Sequence, residues 1–514
     1  MSTARASATE PKLSAGLVKL ALAVVVGTFV VQIDATMITV ALDTLRASFG
    51  VSLAQLQWVS SSYLLAIAVT VPLVGWSADR FGSRRLWLAG LIIFVCASVF
   101  CGFAGSLGML IAARCLQGVG GGILLTLSQA VLARAAGPEQ LGRLMAIVAV
   151  PSLLGPIVGP IIGGLIVEGW GWQYIFFINV PICLAAIVLA WRWLRIADRG
   201  RPTRLDLLGA VLLAPGLAAL LYGLTRAGSL GTIADGEVLG YVLGGGILLV
   251  CFGMHALRTR HAPLIDLRLF RSVAFASASA LFFFIIMGLI GAMLLITLYF
   301  QLARGESPIS AGLLIVPEGV GAALGVMVFS SLADRGHSAG SALVGAVMAT
   351  AGLAALSQLG ATTNDVYIGT ALFVLGVGFG VVVVSASVAG YGGLAPEQIS
   401  RAATVLRIVQ QVGGSIGVAV LVIALQNALA GAASAASGAP SPAAAASAPN
   451  APSATATAAM TAEAFGSTFA WAAALVGLAV IPAIVLVVCG SVARRRARQV
   501  TLGAPGGIEH LPQG

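Results

Sequence analysis

Residues 75–85 read Gly-Trp-Ser-Ala-Asp-Arg-Phe-Gly-Ser-Arg-Arg, and residues 331–337 read Ser-Leu-Ala-Asp-Arg-Gly-His. The shared Ala-Asp-Arg sequence recurs after 255 residues, and each copy follows a long apolar run. Counted along the chain, the copies follow the second and the tenth run. The chain therefore contains two related halves of six runs, with two runs inserted between them. Parallel repeats of this kind are typical of transporters that alternate access around a site between the halves.

The apolar runs around these motifs are long enough to cross a membrane. Of the 514 residues, 59% are hydrophobic and 9% are charged, and the mean hydropathy is +1.02. A soluble protein carries about a quarter charged residues, so soluble enzymes and nucleic-acid-binding proteins are excluded. The composition predicts an all-α polytopic membrane protein with fourteen transmembrane helices. The predicted spans are 17–42, 54–76, 86–105, 108–131, 144–167, 173–193, 205–226, 238–257, 273–300, 311–332, 340–360, 366–390, 402–427 and 464–491.

The charges between the spans predict their orientation. Twenty-three of the 28 lysines and arginines fall on one side of the predicted membrane and three on the other. Because cytoplasmic loops carry an excess of basic residues, we expect both termini to be cytoplasmic. The protein is then a multi-pass protein of the inner (plasma) membrane, with the lipid bilayer and not nucleic acid as its surroundings.

The spans and tails divide the chain into domains. The loop 428–463 consists almost entirely of Ala, Ser, Pro, Thr and Gly, which predicts a flexible external linker; a recognition role is the alternative. The predicted domains are a cytoplasmic tail (1–16), a six-helix bundle (17–193), two inserted helices (205–257), a second six-helix bundle with the linker (273–491) and a second cytoplasmic tail (492–514).

The loop at 75–85 concentrates charge in a short turn between two spans. Asp79 can cap a helix N-terminus or pair with an arginine of a neighbouring helix, and such a contact can hold one conformation closed. The alternative is that the arginines only set the membrane topology. The candidate gating residues are Gly75, Asp79, Arg80, Gly82, Arg84 and Arg85.

The fifth span carries paired glycines and prolines. Gly155, Gly159 and Gly163 recur every four residues, so they share one helical face and permit close approach of another helix. Pro156 and Pro160 remove backbone donors and permit a bend. With Gly164, these residues predict a tight contact across the two halves, the alternative being ordinary helix packing.

Ionisable groups inside spans cost at least a few kcal/mol and usually have a functional reason. Asp34 and Arg114 both fall in the same half of the membrane, which makes an ion pair between them feasible; a purely structural pair is the alternative. Asp34 lies off the polar stripe of its helix and is expected to face a neighbouring helix. Arg407, near the start of its span, is expected to extend to the membrane surface.

Glu318 lies within the tenth span among glycines, without a basic residue nearby in sequence. Desolvation there favours binding of a proton or of a cationic substrate; exposure at the cavity mouth is the alternative. Together with other polar residues of the spans it is a candidate for the substrate cavity. The candidate cavity residues are Gln32, Thr36, Gln117, Glu318, Gln410 and Gln411.

Four motifs resemble those of the major facilitator superfamily and, within it, the fourteen-helix drug–proton antiporters of EmrB/QacA type. Thr39 and Asp43 stand where the family's first-span signature has Asn and Pro. The motifs are the first-span signature (33–42), motif A (75–86), motif B (111–118) and the antiporter motif C (155–164).

The resemblance implies a proton-coupled multidrug efflux transporter with no enzymatic activity, exporting amphipathic and often cationic drugs or dyes by alternating access. It implies that Asp34, Arg114 and Glu318 couple export to protons. Neither a nucleotide-binding motif nor a metal-ligand spacing occurs, so no cofactor or metal is expected, and the protein is expected to be a monomer. The alternatives are a dedicated exporter of one metabolite or self-made antibiotic, and a non-transporting membrane sensor.

Overall fold

The structure is a computed structural model that describes residues 14–136, 140–194, 204–259, 263–306, 308–332, 337–392, 394–436 and 454–489. All regular structure in these ranges is helical. Thirteen described stretches have the length and composition to cross a membrane, and a shorter apolar stretch, Val158–Gly169, lies within a further long helix. Together they match the fourteen predicted spans.

The helices follow the predicted order, with the sixth and tenth spans each divided into two pieces. The first half comprises α1 (Ala15–Phe49), α2 (Leu53–Phe81), α3 (Ser83–Gly102), α4 (Leu107–Ala135), α5 (Leu141–Gly169), α6 (Tyr174–Phe177) and α7 (Asn179–Trp193). The inserted helices are α8 (Leu207–Leu230) and α9 (Gly236–Arg258). The second half comprises α10 (Val273–Leu298), α11 (Pro308–Leu314), α12 (Val316–Leu332), α13 (Ser338–Leu356), α14 (Asp365–Tyr391), α15 (Pro396–Ala436) and α16 (Ala454–Gly477).

Local sequence signals set several helix boundaries. Ser52 begins α2 with a capping box, in which its hydroxyl accepts the Gln55 N–H and the Gln55 side chain accepts the Ser52 N–H. Gly82 alone connects α2 to α3 with φ of 86°. This left-handed region is strained for other residues, so the sharp reversal after Asp79 depends on a glycine.

Each half packs mainly within itself, and a few helices make the contacts between the halves. In the first half α1 packs on α5 and α2 on α4, and in the second α12 packs on α14 and α10 on α15. Between the halves α5 contacts α12 and α14, while α15 contacts α2 and α4. The inserted α8 lies against both α2 and α15, and so it stands where the two halves meet.

Asp206 ties the inserted helices to the second half. It caps α8 by accepting the Gly209 N–H at 2.9 Å, bonds to His255 of α9 at 2.8 Å and accepts the Leu264 N–H at 3.3 Å. Burial alone raises the pKa of the Asp206 carboxyl, but these hydrogen bonds outweigh burial, so its pKa lies below the ordinary value.

The predicted linker 428–463 is shorter than expected, because helices enter it from both ends. α15 continues to Ala436, and α16 begins at Ala454. Alanine has the highest helix propensity, so the alanine-rich ends of this segment extend the helices they follow and precede. The central residues 437–453, like most of the predicted tails and Asp334 and Arg335 of the second Ala-Asp-Arg copy, lie outside the described residues.

Candidate transport cavity and buried charge cluster

Motif A joins the two halves at one end of the bundle, which we call the basic face: the end where α1 begins and α2 ends. Asp79 of α2 accepts hydrogen bonds from Arg134 of α4 at 3.3 Å and from Arg401 of α15 at 3.4 Å. Of the two predicted roles of Asp79, the structure therefore shows the ion pair. Because Arg401 belongs to the second half, this pair crosses the interface between the halves.

The remaining motif A residues differ in their surroundings. A Cβ on Gly75 would lie 3.0 Å from the Thr404 hydroxyl, so the absence of a side chain permits α2 to approach α15. Arg84 donates to the Trp191 carbonyl at 2.6 Å, which ties motif A to α7. Arg80 and Arg85 are exposed, which is consistent with a role in membrane topology.

Two further contacts close the basic face between the halves. The Tyr391 hydroxyl of α14 is hydrogen-bonded to the Gln129 side chain of α4 at 3.2 Å. Nearby, Ala146 of α5 packs with Val326 of α12 and Val384 of α14 in a small buried apolar cluster. The basic face is thus sealed by an ion pair, a hydrogen bond and an apolar contact.

A cavity of about 720 Å³ lies between the halves, away from this seal. It is bounded by α1, α2, α8, α10 and α15, and it reaches the ends of α2 and α8 opposite the basic face. Its lining is mixed: polar side chains alternate with aromatic and aliphatic ones, as expected for an amphipathic ligand. Its lining residues include Gln32, Trp58, Tyr222, Arg226, Ile290, Leu294, Arg407, Gln410 and Gln411.

Only part of the predicted cavity set lines this cavity. Gln32, Gln410 and Gln411 do so. Thr36 and Gln117 do not: the Thr36 hydroxyl donates to carbonyls of its own helix, and Gln117 is fully buried in a polar cluster. Their placement among the cavity residues was wrong, because helical periodicity identifies a common face and not the neighbour that covers it.

Glu318 also lies outside the cavity. It is buried on α12 where this helix packs against α14, and its Oε2 has no hydrogen-bond partner among the described residues. Its own carbonyl approaches Gly376 of α14 so closely that a Cβ there would clash. The prediction that Glu318 lines the substrate cavity was therefore wrong, although its burial within a span is as expected.

Asp34 and Arg114 form the predicted ion pair, with Arg114 Nη1 and Asp34 Oδ2 2.6 Å apart and both side chains almost completely buried. The Gln117 and Asn179 amides donate to Asp34 Oδ1 at 2.9 and 2.7 Å. Ser98 of α3 completes the cluster by accepting from Gln117 at 2.8 Å. As predicted, Asp34 faces neighbouring helices and not the cavity.

Tyr63 connects this cluster to α2, one of the helices that bound the cavity. The guanidinium of Arg114 stacks on the Tyr63 ring at 4.1 Å, and its Nε donates to the Val59 carbonyl at 3.3 Å. On the same helix, Ser61 and Leu64 line the cavity. The buried ion pair therefore contacts a helix whose other residues form part of the cavity wall.

Arg407 does not extend to the membrane surface. α15 begins at Pro396, earlier than the predicted span, and this places Arg407 about three turns inside the helix, on the cavity. Its Nη1 donates to Gln410 Oε1 at 3.3 Å. The sequence-based position was wrong because the polar first turns of α15 carry no apolar signal.

The glycines of motif C pack within the first half and not across the halves as predicted. A Cβ on Gly155 would meet the Gln32 side chain at 2.8 Å, and one on Gly163 would meet the Met37 backbone at 3.2 Å. On Gly159 it would clash with the Thr36 hydroxyl. All three therefore face α1, and another face of α5 contacts α12.

The sequence analysis missed several polar residues of these sites. Asn179 and Arg226 were not among the candidate site residues. Tyr222, Thr225 and Arg226 lie at i, i+3 and i+4 on α8 and all line the cavity. A polar stripe at helical spacing in an otherwise apolar inserted helix is the signal that could have found them.

Two helical halves that enclose an amphipathic cavity, sealed at one end, define a multi-pass membrane transporter of the alternating-access type. The chain belongs to the Major Facilitator Superfamily, whose family model matches residues 24–418. The human organic anion transporter MFSD10 has the same fold, with a TM-score of 0.61 and 14% identity over 90% of this chain and 99% of that chain. The proton:xylose symporter XylE has a TM-score of 0.57 and 13% identity over 89% and 94% of the two chains.

Bacterial relatives are similar in sequence over most of their length. The "Multidrug resistance protein B homolog" of Mycobacterium tuberculosis is 39% identical over 80% of this chain and 77% of its own. The "Tetracenomycin C resistance and export protein" of Streptomyces glaucescens is 31% identical over 78% and 74% of the two chains. The "Methylenomycin A resistance protein" of Streptomyces coelicolor is 31% identical over 79% and 85%.

Proposed function

We propose that the protein is a proton-coupled exporter of small amphipathic drugs that acts as a monomer and without a cofactor. The observation that carries this proposal is an amphipathic cavity of about 720 Å³ between the halves, with a buried ion pair in contact with α2, one of the helices that bound it. The names of the relatives, which refer to multidrug resistance and antibiotic export, support drugs as the substrate class.

The proposed orientation places the basic face in the cytoplasm, with both termini, in the inner membrane. The arginine excess of the loops on that side supports this orientation. The seal at Asp79 then blocks the cytoplasmic end, while the cavity reaches the external end. The structure accordingly corresponds to a conformation that releases drug and receives protons.

The proposed coupling uses the buried ion pair. A proton that binds Asp34 neutralises its charge and weakens the hold of Arg114. Since Arg114 stacks on Tyr63 of α2, and Ser61 and Leu64 of the same helix line the cavity, this change reaches the α2 wall of the cavity. Proton binding and drug binding then favour opposite conformations of one equilibrium, which is what antiport requires.

The sequence-based preference for cationic drugs depended on Glu318 facing the cavity, and this residue lies elsewhere. Glu318 therefore remains a candidate proton-binding residue and not a cation site. A dedicated antibiotic exporter is the second candidate, since two relatives are named for resistance to single antibiotics. A biosynthetic gene cluster beside this gene would favour it, and a drug-responsive repressor gene would favour multidrug export.

Efflux in inverted membrane vesicles tests the proposal. Vesicles that contain the protein are expected to accumulate dye when the interior is made acidic, and nigericin, which collapses the pH gradient, is expected to abolish accumulation. Vesicles that contain Asp34→Asn at equal expression should show none. Accumulation that survives nigericin would contradict proton coupling, and no accumulation of any dye or drug in a broad panel would contradict export.

A further inference from the structure

The charged side chains on the cavity wall are both basic. Arg407 of α15 and Arg226 of α8 line the cavity, and none of the acidic side chains that the structure describes does so. A positively charged ligand would meet only like charge there, in surroundings where water screens poorly, whereas a negatively charged ligand would be attracted. The charge of the cavity wall is thus positive, which is opposite in sign to the charge that a cation-binding site needs.

Arg407 has unused capacity to bind an anion. Its described hydrogen bond goes to the neutral Gln410 side chain at 3.3 Å, and its Nε is buried without a hydrogen-bond partner among the described residues. A half-buried guanidinium without a carboxylate partner is unfavourable. Its planar array of donors matches a carboxylate or sulfonate, which can accept two parallel hydrogen bonds.

Arg226 differs from Arg407 in its partner and its exposure. It lies 3.8 Å from Glu237 of α9, and the two side chains are 43% and 51% exposed. Its charge is thus partly neutralised and screened by water. Arg226 can attract an anion toward the mouth of the cavity, but the deeper and unpaired Arg407 is better placed to select for negative charge.

The wall near the mouth offers aromatic surface. Trp58 of α2 stacks on Tyr222 of α8 with ring centroids 5.6 Å apart and planes 21° apart, and Tyr241 of α9 packs edge-on against Tyr222 at 4.7 Å. Across the cavity, Ile290 and Leu294 of α10 add aliphatic surface. These surfaces favour contact with a flat ring system, since aromatic rings stack favourably on Trp and Tyr.

The buried acidic side chains that could attract a cation lie outside the cavity. Asp34 is paired with Arg114, and Glu318 is buried on α12 where that helix packs against Gly376 of α14; neither lines the cavity. We infer that the cavity binds amphipathic organic anions that carry a ring system, with Arg407 as the residue that selects for negative charge. This inference rests on the proposed function, because it names the substrate class of the same cavity.

Two dyes that share a xanthene ring system and differ in charge test the inference. Fluorescein is anionic and rhodamine 123 is cationic at neutral pH. Binding to the purified full-length protein in lipid nanodiscs is measured by fluorescence anisotropy without a proton gradient, and binding to empty nanodiscs is subtracted. We expect fluorescein to bind at least about tenfold more tightly, since hydrogen bonds to a charged group are worth about 1.5–3 kcal/mol.

Variants assign the selectivity to Arg407. Arg407→Gln is expected to weaken fluorescein binding about tenfold or more and to leave rhodamine 123 binding unchanged or stronger. Arg407→Lys, which keeps the charge but not the planar donors, should keep most of the preference. The matched control is Arg304→Gln, which removes an arginine that pairs with Asp365 and does not line the cavity; both dyes should bind it as they bind the wild type.

Equal or tighter binding of rhodamine 123 to the wild type would overturn the inference, and so would equal losses of both dyes in Arg407→Gln. If Arg407→Gln is not monodisperse, the wild-type preference and Arg407→Lys decide. The vesicle assay separates this inference from the proposed function. Selective binding of fluorescein, with no dye or drug of the panel pumped, contradicts export alone. Pumping of rhodamine 123 without selective fluorescein binding contradicts the anion site alone.

Discussion

At the scale of single residues, Asp34 organises four helices of the first half. Its carboxylate on α1 accepts from Arg114 and Gln117 of α4 and from Asn179 of α7, while Ser98 adds α3 through Gln117. Such a cluster holds these helices in one arrangement while the carboxylate is charged. An ion pair this deeply buried stabilises little by itself, so its burial alone is weak evidence that it serves stability.

We expect Asp34→Asn to insert into the membrane but to lose proton-driven efflux, because the amide keeps the shape and cannot titrate. It also leaves Arg114 charged and unpaired, which costs about 3–5 kcal/mol at a buried site. The purified variant should therefore melt at a lower temperature than the wild type. Efflux is measured in inverted vesicles under a pH gradient, and normal gradient-driven efflux would refute the role in coupling.

The double variant Asp34→Asn/Arg114→Gln separates coupling from stability. Removing both charges leaves no unpaired buried ion, so the melting temperature should recover part of the loss seen in Asp34→Asn. Efflux should remain absent, because no titrating group has been restored. Recovery of efflux together with stability would show that Asp34 is only structural.

At the scale of residues, the sequence predicted which charged side chains pair with each other better than it predicted which helices cover a given side chain. The Asp34–Arg114 pair follows from two opposite charges at similar membrane depth, and the structure confirms the pair. Gln117 and Glu318 were misplaced because a side chain's depth and helical face do not tell which helix covers it. That information depends on tertiary packing, such as the close approach of α12 to α14 at Gly376.

At the scale of helices, the contact of α1 with α5 depends on motif C. A Cβ on Gly159 would clash with the Thr36 hydroxyl and lie 3.1 Å from the Ile33 carbonyl, so α1 would have to move. We expect Gly159→Ala to lower the free energy of unfolding by about 1–3 kcal/mol. The matched control is Gly164→Ala on the same helix, whose Cβ would meet its nearest neighbour, Val40, at 3.7 Å.

Thermal melting of the purified proteins measures this difference. Gly164→Ala should melt like the wild type, and Gly159→Ala should melt several degrees lower. If both variants melt alike, the close packing of motif C against α1 is not what stabilises this pair of helices.

The segment between α15 and α16 should be dispensable. α15 ends at Ala436 and α16 begins at Ala454. A deletion of residues 440–449 therefore removes sequence between the two helices and leaves both helix ends intact. We expect unchanged melting temperature and efflux. A same-length Gly/Ser replacement of 440–449 is the control for length: loss of efflux in both variants at normal expression would show that the sequence of this loop takes part in function.

Helix number and order were predictable because each span needs about 20 apolar residues, whereas helix ends and partners were not. α15 runs well beyond its apolar stretch at both ends, which moved Arg407 from the expected surface to the cavity. Motif C identified a face for close packing, but glycine spacing alone does not distinguish α1 from a helix of the other half.

At the scale of the whole molecule, the repeated Ala-Asp-Arg sequence predicted two halves, and the structure shows how motif A connects them. Asp79 of the first half binds Arg401 of the second, next to the contact of Gly75 with Thr404. The partner could not be predicted, because Arg401 is one of many loop arginines. The sequence did offer an arginine of a neighbouring helix as one of two possible partners of Asp79, the other being a helix N-terminus.

The seal at the basic face should control which end of the cavity is open. Asp79 holds Arg134 and Arg401 together, and Asp79→Asn removes the charge from both contacts. The other two cross-half contacts are one hydrogen bond and a small apolar cluster. Because partly exposed ion pairs are worth up to ~1 kcal/mol each, their loss should raise the population open at the basic face about fivefold or more.

A cysteine at Ala146 reports this opening, since Ala146 is buried against Val326 and Val384 only while the basic face is closed. With the six native cysteines replaced, A146C in inverted vesicles should react with a membrane-impermeant maleimide about fivefold faster in Asp79→Asn than in the wild type. Arg80→Gln is the matched control, because Arg80 is exposed in the same motif and should leave the rate unchanged. Equal rates of maleimide reaction in Asp79→Asn and the wild type would show that the Asp79 contacts do not hold the basic face closed. Closure would then depend on the Tyr391–Gln129 hydrogen bond and the apolar cluster alone.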